Sequence, residues 1–235
     1  MIYVTADIHG NMERYRSLMS KIDLKPDDTL YVLGDVIDRH PDGIKILLEI
    51  MDSKNIKMLL GNHEYMMLNA IRPPANLSRH DSVENVKIWH HNGGEVTHDA
   101  FIDASLDTKD RIIQFLKDLP INIDIKVNGK KYKLVHATSV TKYPYYPDRY
   151  YYIDSTDFAV WRRWHLGESK PRNYTMIFGH TPTNHYQNNN PMEIFHSGRV
   201  IGIDCGCGFP AKDSRGPRLA CLRLDDMAEF YSDLI

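Results

Sequence analysis

The chain opens on an apolar, β-favouring run, "MIYVT". After a polar turn, Met12, Tyr15, Leu18, Met19 and Ile22 recur at helical spacing, with Asn11 placed to cap the helix. The unit then comes again: "TLYVLGD" reads as a strand ending in an acid, and Pro41 opens the helix "PDGIKILLEIMD", whose Ile44, Leu47, Leu48 and Met51 share one face. "IKMLLGNHEYMMLNAI" repeats the rhythm a third time, with Pro73 and Pro74 stopping its helix. Strands alternating with helices predict a layered α/β fold whose sheet begins largely parallel. From about Ser82 to Leu119 the pattern is mostly helical, broken at "NGG", and predicts a helical insertion or cap. Beyond Pro120, "INIDIKV", the turn "NGK" and "KYKLVHA" predict an antiparallel hairpin, and "YTMIFGH", "RVIGID" and "RLACLRL" further strands. "QNNNP" fits a surface loop.

Composition adds little beyond an ordinary globular chain. Of 235 residues, 42% are hydrophobic and 26% charged, enough to bury a core in one domain spanning 1–235. The formal charge is -2, and no basic cluster is longer than "GKKYK" at the hairpin turn, so neither nucleic acid nor an anionic membrane is an expected partner. Cys205, Cys207 and Cys221 are too few for a disulfide framework, which points to a reducing compartment. With no basic-then-apolar leader and no run of ~18 apolar residues, a cytoplasmic location is expected.

Each strand of the first half runs into chemistry: Asp7 and His9, then Asp35 with Asp38 and Arg39, then Asn62 and His63. In the second half "KLVHA" delivers His136 and "IFGH" delivers His180. Ligands of an open α/β sheet bind beyond the carboxyl ends of its strands, so these turns should meet at one crevice. Two carboxylates, an Asn carbonyl and three imidazoles make a mixed oxygen and nitrogen set without thiolate, too large for one tetrahedral zinc. It suits two divalent ions, manganese foremost, with iron or zinc also accommodated. Asp35, central among the turns, would bridge them, and ions ~3.5 to 4 Å apart can share and acidify one water for in-line attack on phosphorus. Arg39 keeps its charge and can hold phosphate oxygens. His63 can protonate a departing alkoxide while Asp38 orients its ring, and Gly10, Gly34 and Gly61 let the backbone come close.

"DIHGN", "GDVIDR", "GNHE", the "HA" at 136 and "GHT" at 179 to 181, in that order, resemble the metallophosphoesterase superfamily. Within it they are most similar to the bacterial and phage (lambda-phosphatase-like) branch of the phosphoprotein phosphatase family, and the match extends to "WHHNGG", "VWRR", "IDCG" and "RLACLRLDD". The resemblance implies a central β-sandwich flanked by helices. It implies one metal on Asp7, His9 and Asp35 and another on Asp35, Asn62, His136 and His180, with His63 as general acid backed by Asp38. It also implies a phosphate held by Arg39 and by an arginine two residues after a tryptophan, which after Trp161 is Arg163 rather than Arg162. Two positions depart from the family pattern: His40 stands where glycine usually follows Asp-Arg, and Thr138 puts a side chain where the family often has none.

Plainer readings compete with these. Asp7 alone would be a helix-capping acid, Asp38 and Arg39 a surface ion pair worth roughly 0 to 1 kcal/mol, and "WRRWH" the basic face of a helix. The stretch from Tyr143 to Tyr152 reads either as a lip that recognises substrate or as aromatic packing under a Pro-rich loop. Cys205 and Cys207 read as small buried residues. His90, His91, His98, His165, His185 and His196 read as solvated or locally hydrogen-bonded, while His40 either lines the site or joins them. The activity expected is metal-dependent hydrolysis of a phosphomonoester, foremost as a serine/threonine protein phosphatase acting on a phosphoprotein or phosphopeptide. The alternative is a diadenosine tetraphosphate hydrolase. Those enzymes resemble the same family but tend to lack the Asp of "GDVIDR" and to carry GNHD, so Asp38 and Glu64 favour the phosphatase. A metal-stabilised binding module without catalysis would have lost a ligand or the acid, and none is missing.

Overall fold

In a strand, successive side chains point to opposite faces, and in this protein each face has its own core. The computed structural model describes residues 1–72 and 79–234, so the expected helix stop at Pro73 and Pro74 lies outside the described residues. Strand β1 (Ile2–Thr5) sends Tyr3 to one side and Val4 to the other, and β2 (Thr29–Val32) sends Leu30 and Val32 with Tyr3 but Tyr31 with Val4. Parallel pairing joins β1 to β2 and β2 to β3 (Ile56–Met58), and β9 (Ala220–Arg223) and β10 (Ala228–Tyr231) extend the sheet antiparallel, giving the order β10-β9-β1-β2-β3.

A second five-stranded sheet has the order β4-β5-β6-β8-β7, built from β4 (Asn122–Val127), β5 (Lys130–Val135), β6 (Thr175–Phe178), β7 (Phe195–His196) and β8 (Val200–Gly202). The two sheets pack face to face through Val4, Tyr31, Leu33, Leu134, Ile177 and Leu222. The outer face of the first is covered by α1 (Met12–Ile22), α2 (Gly43–Asp52), α3 (Asn62–Ile71), α4 (Arg79–His91), α5 (Glu95–Asp103) and α6 (Leu106–Asp118). The outer face of the second buries Val135, Met176, Phe178 and Val200 against Trp164. The α/β class is therefore realised as a mixed β-sandwich flanked by helices.

Local chemistry follows the sequence closely. Asn11 accepts from the Arg14 N–H at 3.1 Å and caps α1. Asn128 (φ 48°) and Gly129 (φ 79°) make the tight left-handed hairpin turn, and "NGG" separates α4 from α5. Elsewhere tertiary structure decides. Helix α2 starts at Gly43 rather than Pro41 because the preceding backbone is committed to the turn after β1: the His40 N–H donates to His9 O and the Asp42 N–H to Gly10 O, both at 3.2 Å. Helix α7 (Ser155–Trp161) starts where Asp154 accepts from the N–H groups of Thr156 and Asp157, and it ends before Arg162, so "WRRWH" is not the face of a helix. Among the described residues no helix is long and apolar enough to cross a membrane.

Phe178 is fully buried, its ring 6.1 Å from that of Trp164 and 5.7 Å from that of Tyr186. Phe178→Ala should lower the free energy of unfolding by about 3–5 kcal/mol in a urea titration; a loss under about 1 kcal/mol would contradict this packing.

Candidate metal centre

Beyond the carboxyl ends of the central strands the backbone turns left-handed. Ten non-glycine residues among those described have positive φ, and six of them are Asp7, His9, Asp35, Asp38, Arg39 and His180, at 50–72°. Such backbone costs on the order of 1–3 kcal/mol per residue and persists only where its surroundings hold it. Here the turns after β1 and β2 pair with each other: the N–H groups of Asp7, His9 and Gly10 donate to the carbonyls of Gly34, Asp35 and Val36 at 3.1, 2.9 and 2.7 Å. From the first turn of α3 the fully buried Glu64 carboxylate accepts from the N–H groups of Asp35 (2.8 Å), Val36 (2.8 Å), Ile37 (3.4 Å) and Gly61 (3.1 Å). Gly61 is obligatory, since a Cβ there would lie 2.3 Å from Asp35 Oδ1.

Two contacts tie the second sheet to this edge. The His180 N–H reaches both oxygens of Asp7 at 3.0 Å, and His136 Nδ1 donates to Leu33 O at 2.7 Å. His9 Nδ1 likewise faces Ile37 O (3.2 Å), and His180 Nε2 faces Trp161 O (3.2 Å). With the outer nitrogen of each ring donating to a carbonyl, the inner one is left as a bare lone pair. Burial, the largest cause, lowers the pKa of all three rings and keeps them neutral. The inner nitrogens nevertheless point at oxygens: His136 Nε2 and His180 Nδ1 lie 2.9 and 2.8 Å from Asn62 Oδ1, His136 Nε2 lies 3.5 Å from Asp35 Oδ1, and His9 Nε2 lies 3.8 Å from Asp35 Oδ2. Lone pairs gathered on lone pairs repel unless a cation lies among them, so this donor set fits divalent metal. Burial, then the charges of Asp204 and Asp35, push the Asp7 carboxyl well above its usual range.

Among the described residues, two buried groupings bring their ligand atoms within 4.8 Å of one another, His9–Asp35–His63 and Asp35–His136–His180; Asp7 lies outside both. His63 has other commitments. Its Nδ1 is 2.6 Å from Asp38 Oδ2, and its Nε2 is 3.3 Å from an Arg39 nitrogen. Asp38 is itself held by the Trp89 indole N–H (2.9 Å) and donates its own N–H to Thr97 Oγ1 (2.9 Å). Burial lowers the basicity of His63, but Asp35 and Asp38 outweigh it and the pKa is raised.

Arg39 is exposed, and glycines press on it from two sides. A Cβ on Gly93 would lie 3.0 Å from its Cγ, and one on Gly208 2.8 Å from its Nη1. His40 is half-buried with its ring close to the Gly208 backbone, beside Arg39. Arg14, buried in α1, donates to Cys207 O (2.7 Å) and Phe209 O (3.0 Å) and fixes the same loop. Cys205 and Cys207 are buried there as free thiols. Thr138 is buried, with its N–H donating to Ala159 O at 3.0 Å. Arg163 is exposed and close enough for its charge to bear on His180 and Asp204, whereas Arg162 is buried against Tyr146 and Glu168. Glu64, Trp89, Thr97, Arg14 and Asp204 were not expected as parts of the site. Glu64, Trp89 and Asp204 did leave a signal, as positions of "GNHE", "WHHNGG" and "IDCG"; Thr97 and Arg14 left none.

The sequence profile of the calcineurin-like phosphoesterases matches residues 1–204. Serine/threonine-protein phosphatase 2 of Salmonella typhimurium is 28% identical over 189 residues, covering 76% of this chain and 78% of that protein. The symmetrical bis(5'-nucleosyl)-tetraphosphatase of Delftia acidovorans is 27% identical over 139 residues, covering 58% of this chain but 43% of that protein. A solved metallophosphoesterase structure from Sphaerobacter thermophilus aligns over 98% of this chain and 86% of its own, with TM-score 0.55 at 16% identity. The last likeness is one of fold.

Glu64→Gln keeps the side-chain shape but turns an amide donor toward backbone N–H groups. It should lower the urea-unfolding free energy of metal-free protein by about 2–3 kcal/mol, and an unchanged midpoint would show that these bonds do not hold the turn.

Proposed function

Because the chain belongs to the calcineurin-like phosphoesterase family and is a hydrolase, we propose that it is a serine/threonine protein phosphatase with two divalent cations at its centre. Asp7, His9 and Asp35 would hold one, and Asp35, Asn62, His136 and His180 the other. Manganese suits this oxygen and nitrogen set, with iron and zinc as competitors. Cations bound there would neutralise phosphate charge and acidify a water for attack on phosphorus.

The chain's own residues do the rest. Arg39 and Arg163 would hold the phosphate oxygens, and their charges survive at any working pH. His63 acts as the acid rather than a ligand, because its Nε2 faces the Arg39 guanidinium, beside which the phosphate and its leaving oxygen would lie. Asp38, 2.6 Å from Nδ1, fixes the ring and stabilises its charged form, so Nε2 has a proton to give to the leaving oxygen. Trp89 and Thr97 hold Asp38 in turn. This buried dyad beside Arg39 is the observation on which the reading rests: a serine or threonine alkoxide is a poor leaving group and needs that proton. The Salmonella phosphatase, matched over most of both chains, supports a protein substrate. Free, buried cysteines accord with a cytoplasmic setting. The second reading, a dinucleoside tetraphosphate hydrolase, has the Delftia relative behind it.

With manganese added to metal-stripped protein, kcat/KM should be clearly higher for a phosphoserine peptide than for diadenosine tetraphosphate; the reverse order would select the second reading. His63→Asn should cut kcat on the phosphoserine peptide by about 10²–10⁴-fold and cost far less with 4-nitrophenyl phosphate, whose leaving group needs little protonation. An undiminished kcat on the peptide would remove His63 from the role of acid.

A further inference from the structure

The tyrosine-rich segment after His136 divides into two sets of rings. Tyr143, Tyr146 and Tyr152 close on Phe158 of α7, with centroids 5.5, 5.4 and 5.2 Å away, and packing accounts for them. It does not account for Tyr145, Tyr150, Tyr151 and Ile153, which are 86, 79, 88 and 85% exposed. Tyr145 and Tyr151 stand on the rim of a cavity of about 760 Å³ between this segment and Arg162–Ser169, with Tyr146 also lining it. That volume is typical of ligand pockets, which run about 300–1,000 Å³.

The cavity adjoins the metal centre through three consecutive residues. Trp161 gives its carbonyl to His180, Arg162 lines the cavity, and Arg163 lies by the centre. Arg162 is only 7% exposed, its guanidinium 4.2 Å from the Tyr146 ring centroid and bonded to Glu168 at 3.1 Å. Its Nε approaches Asp148 Oδ2 at 3.5 Å without forming a hydrogen bond. Arg162 Nε and Nη1, both donors, and Asp148 Oδ1, an acceptor, are buried without partners. Leaving such groups unpaired costs about 1–3 kcal/mol each, so a bound group that satisfies them is favoured. Two cations, Lys142 and Arg162, face two carboxylates, Asp148 and Glu168. That balance favours neither a second phosphate nor a basic side chain. A neutral amide, offering one acceptor and one donor, matches the unpaired atoms. The exposed Tyr150 and Ile153 carry the apolar surface past the cavity, further than a single nucleobase would cover, and Tyr and Arg are the side chains that most often anchor protein contacts.

We infer that this cavity is a specificity subsite for the polypeptide around the phosphorylated residue: an uncharged aromatic or aliphatic side chain lies against Tyr145 and Tyr151 while a neighbouring main-chain amide bonds Arg162 and Asp148. The inference rests on the protein-phosphatase reading. The test is the Tyr145→Ala/Tyr151→Ala double variant, whose lost rings are exposed and leave the core intact. It is assayed beside the parent protein with manganese on a phosphoserine peptide carrying a neighbouring Phe, on 4-nitrophenyl phosphate and on diadenosine tetraphosphate. The ratio of kcat/KM for the peptide to that for the aryl phosphate should fall about tenfold, through KM. An unchanged ratio, whether both substrates suffer alike or neither does, would overturn the subsite and leave the phosphatase reading standing. A parent protein that prefers the dinucleotide, with the double variant impaired on it, would overturn both and make the occupant a base.

Discussion

The centre depends on the Glu64 carboxylate, which accepts hydrogen bonds from Asp35, Val36, Ile37 and Gly61. Without it the loop leaving β2 would have three inward N–H groups and no acceptor, in a place where water does not reach. With it, Asp35 keeps a left-handed backbone, and the first turn of α3 is drawn so close that only glycine fits at 61. Each such bond to a buried carboxylate is worth about 1.5–3 kcal/mol, comparable to the strain of a left-handed residue. The positions of Asp35, Asn62 and His63 are therefore set together by one side chain that touches none of the proposed chemistry.

The sandwich supplies the second half of the donor set. In this sandwich the parallel strands of both sheets end at the same edge, so His136 after β5 and His180 after β6 meet Asp7 and Asp35 across the gap. The bonds from His180 to Asp7 and from His136 to Leu33 make the centre a junction between sheets as well as a site. Its histidines point their outer nitrogens at backbone carbonyls, which fixes their tautomers before any metal arrives and spares the ordering cost on binding.

Much of this was legible in the sequence because it is local. Strand-turn-helix periodicity, the cap at Asn11, the Asn-Gly hairpin and the polar residues at strand ends are short-range patterns, and the predicted residues from Asp7 to His180 gather at one edge. What escaped the sequence depends on distant partners. Trp89 opens the "WHHNGG" motif and Thr97 follows it in the helical insertion, but both acquire their role only when the fold brings them to Asp38. Arg14 looks like the polar face of a helix until its carbonyl partners on the loop at 207–209 are seen. Helix α2 yields two residues to the turn after β1, and the half-buried edge strand β10 lacks the alternation that marks a strand. Of the two readings of the tyrosine-rich segment, packing fits three of its rings, while Tyr145, Tyr150 and Tyr151 are exposed.

Asp35 is proposed to stand between two cations. Titrating metal-stripped protein with Mn²⁺ under electron paramagnetic resonance tests it most directly. Two equivalents should bind, with a spin-coupled manganese signal that Asp35→Asn abolishes. One equivalent, or two that remain magnetically independent in the parent protein, would contradict it.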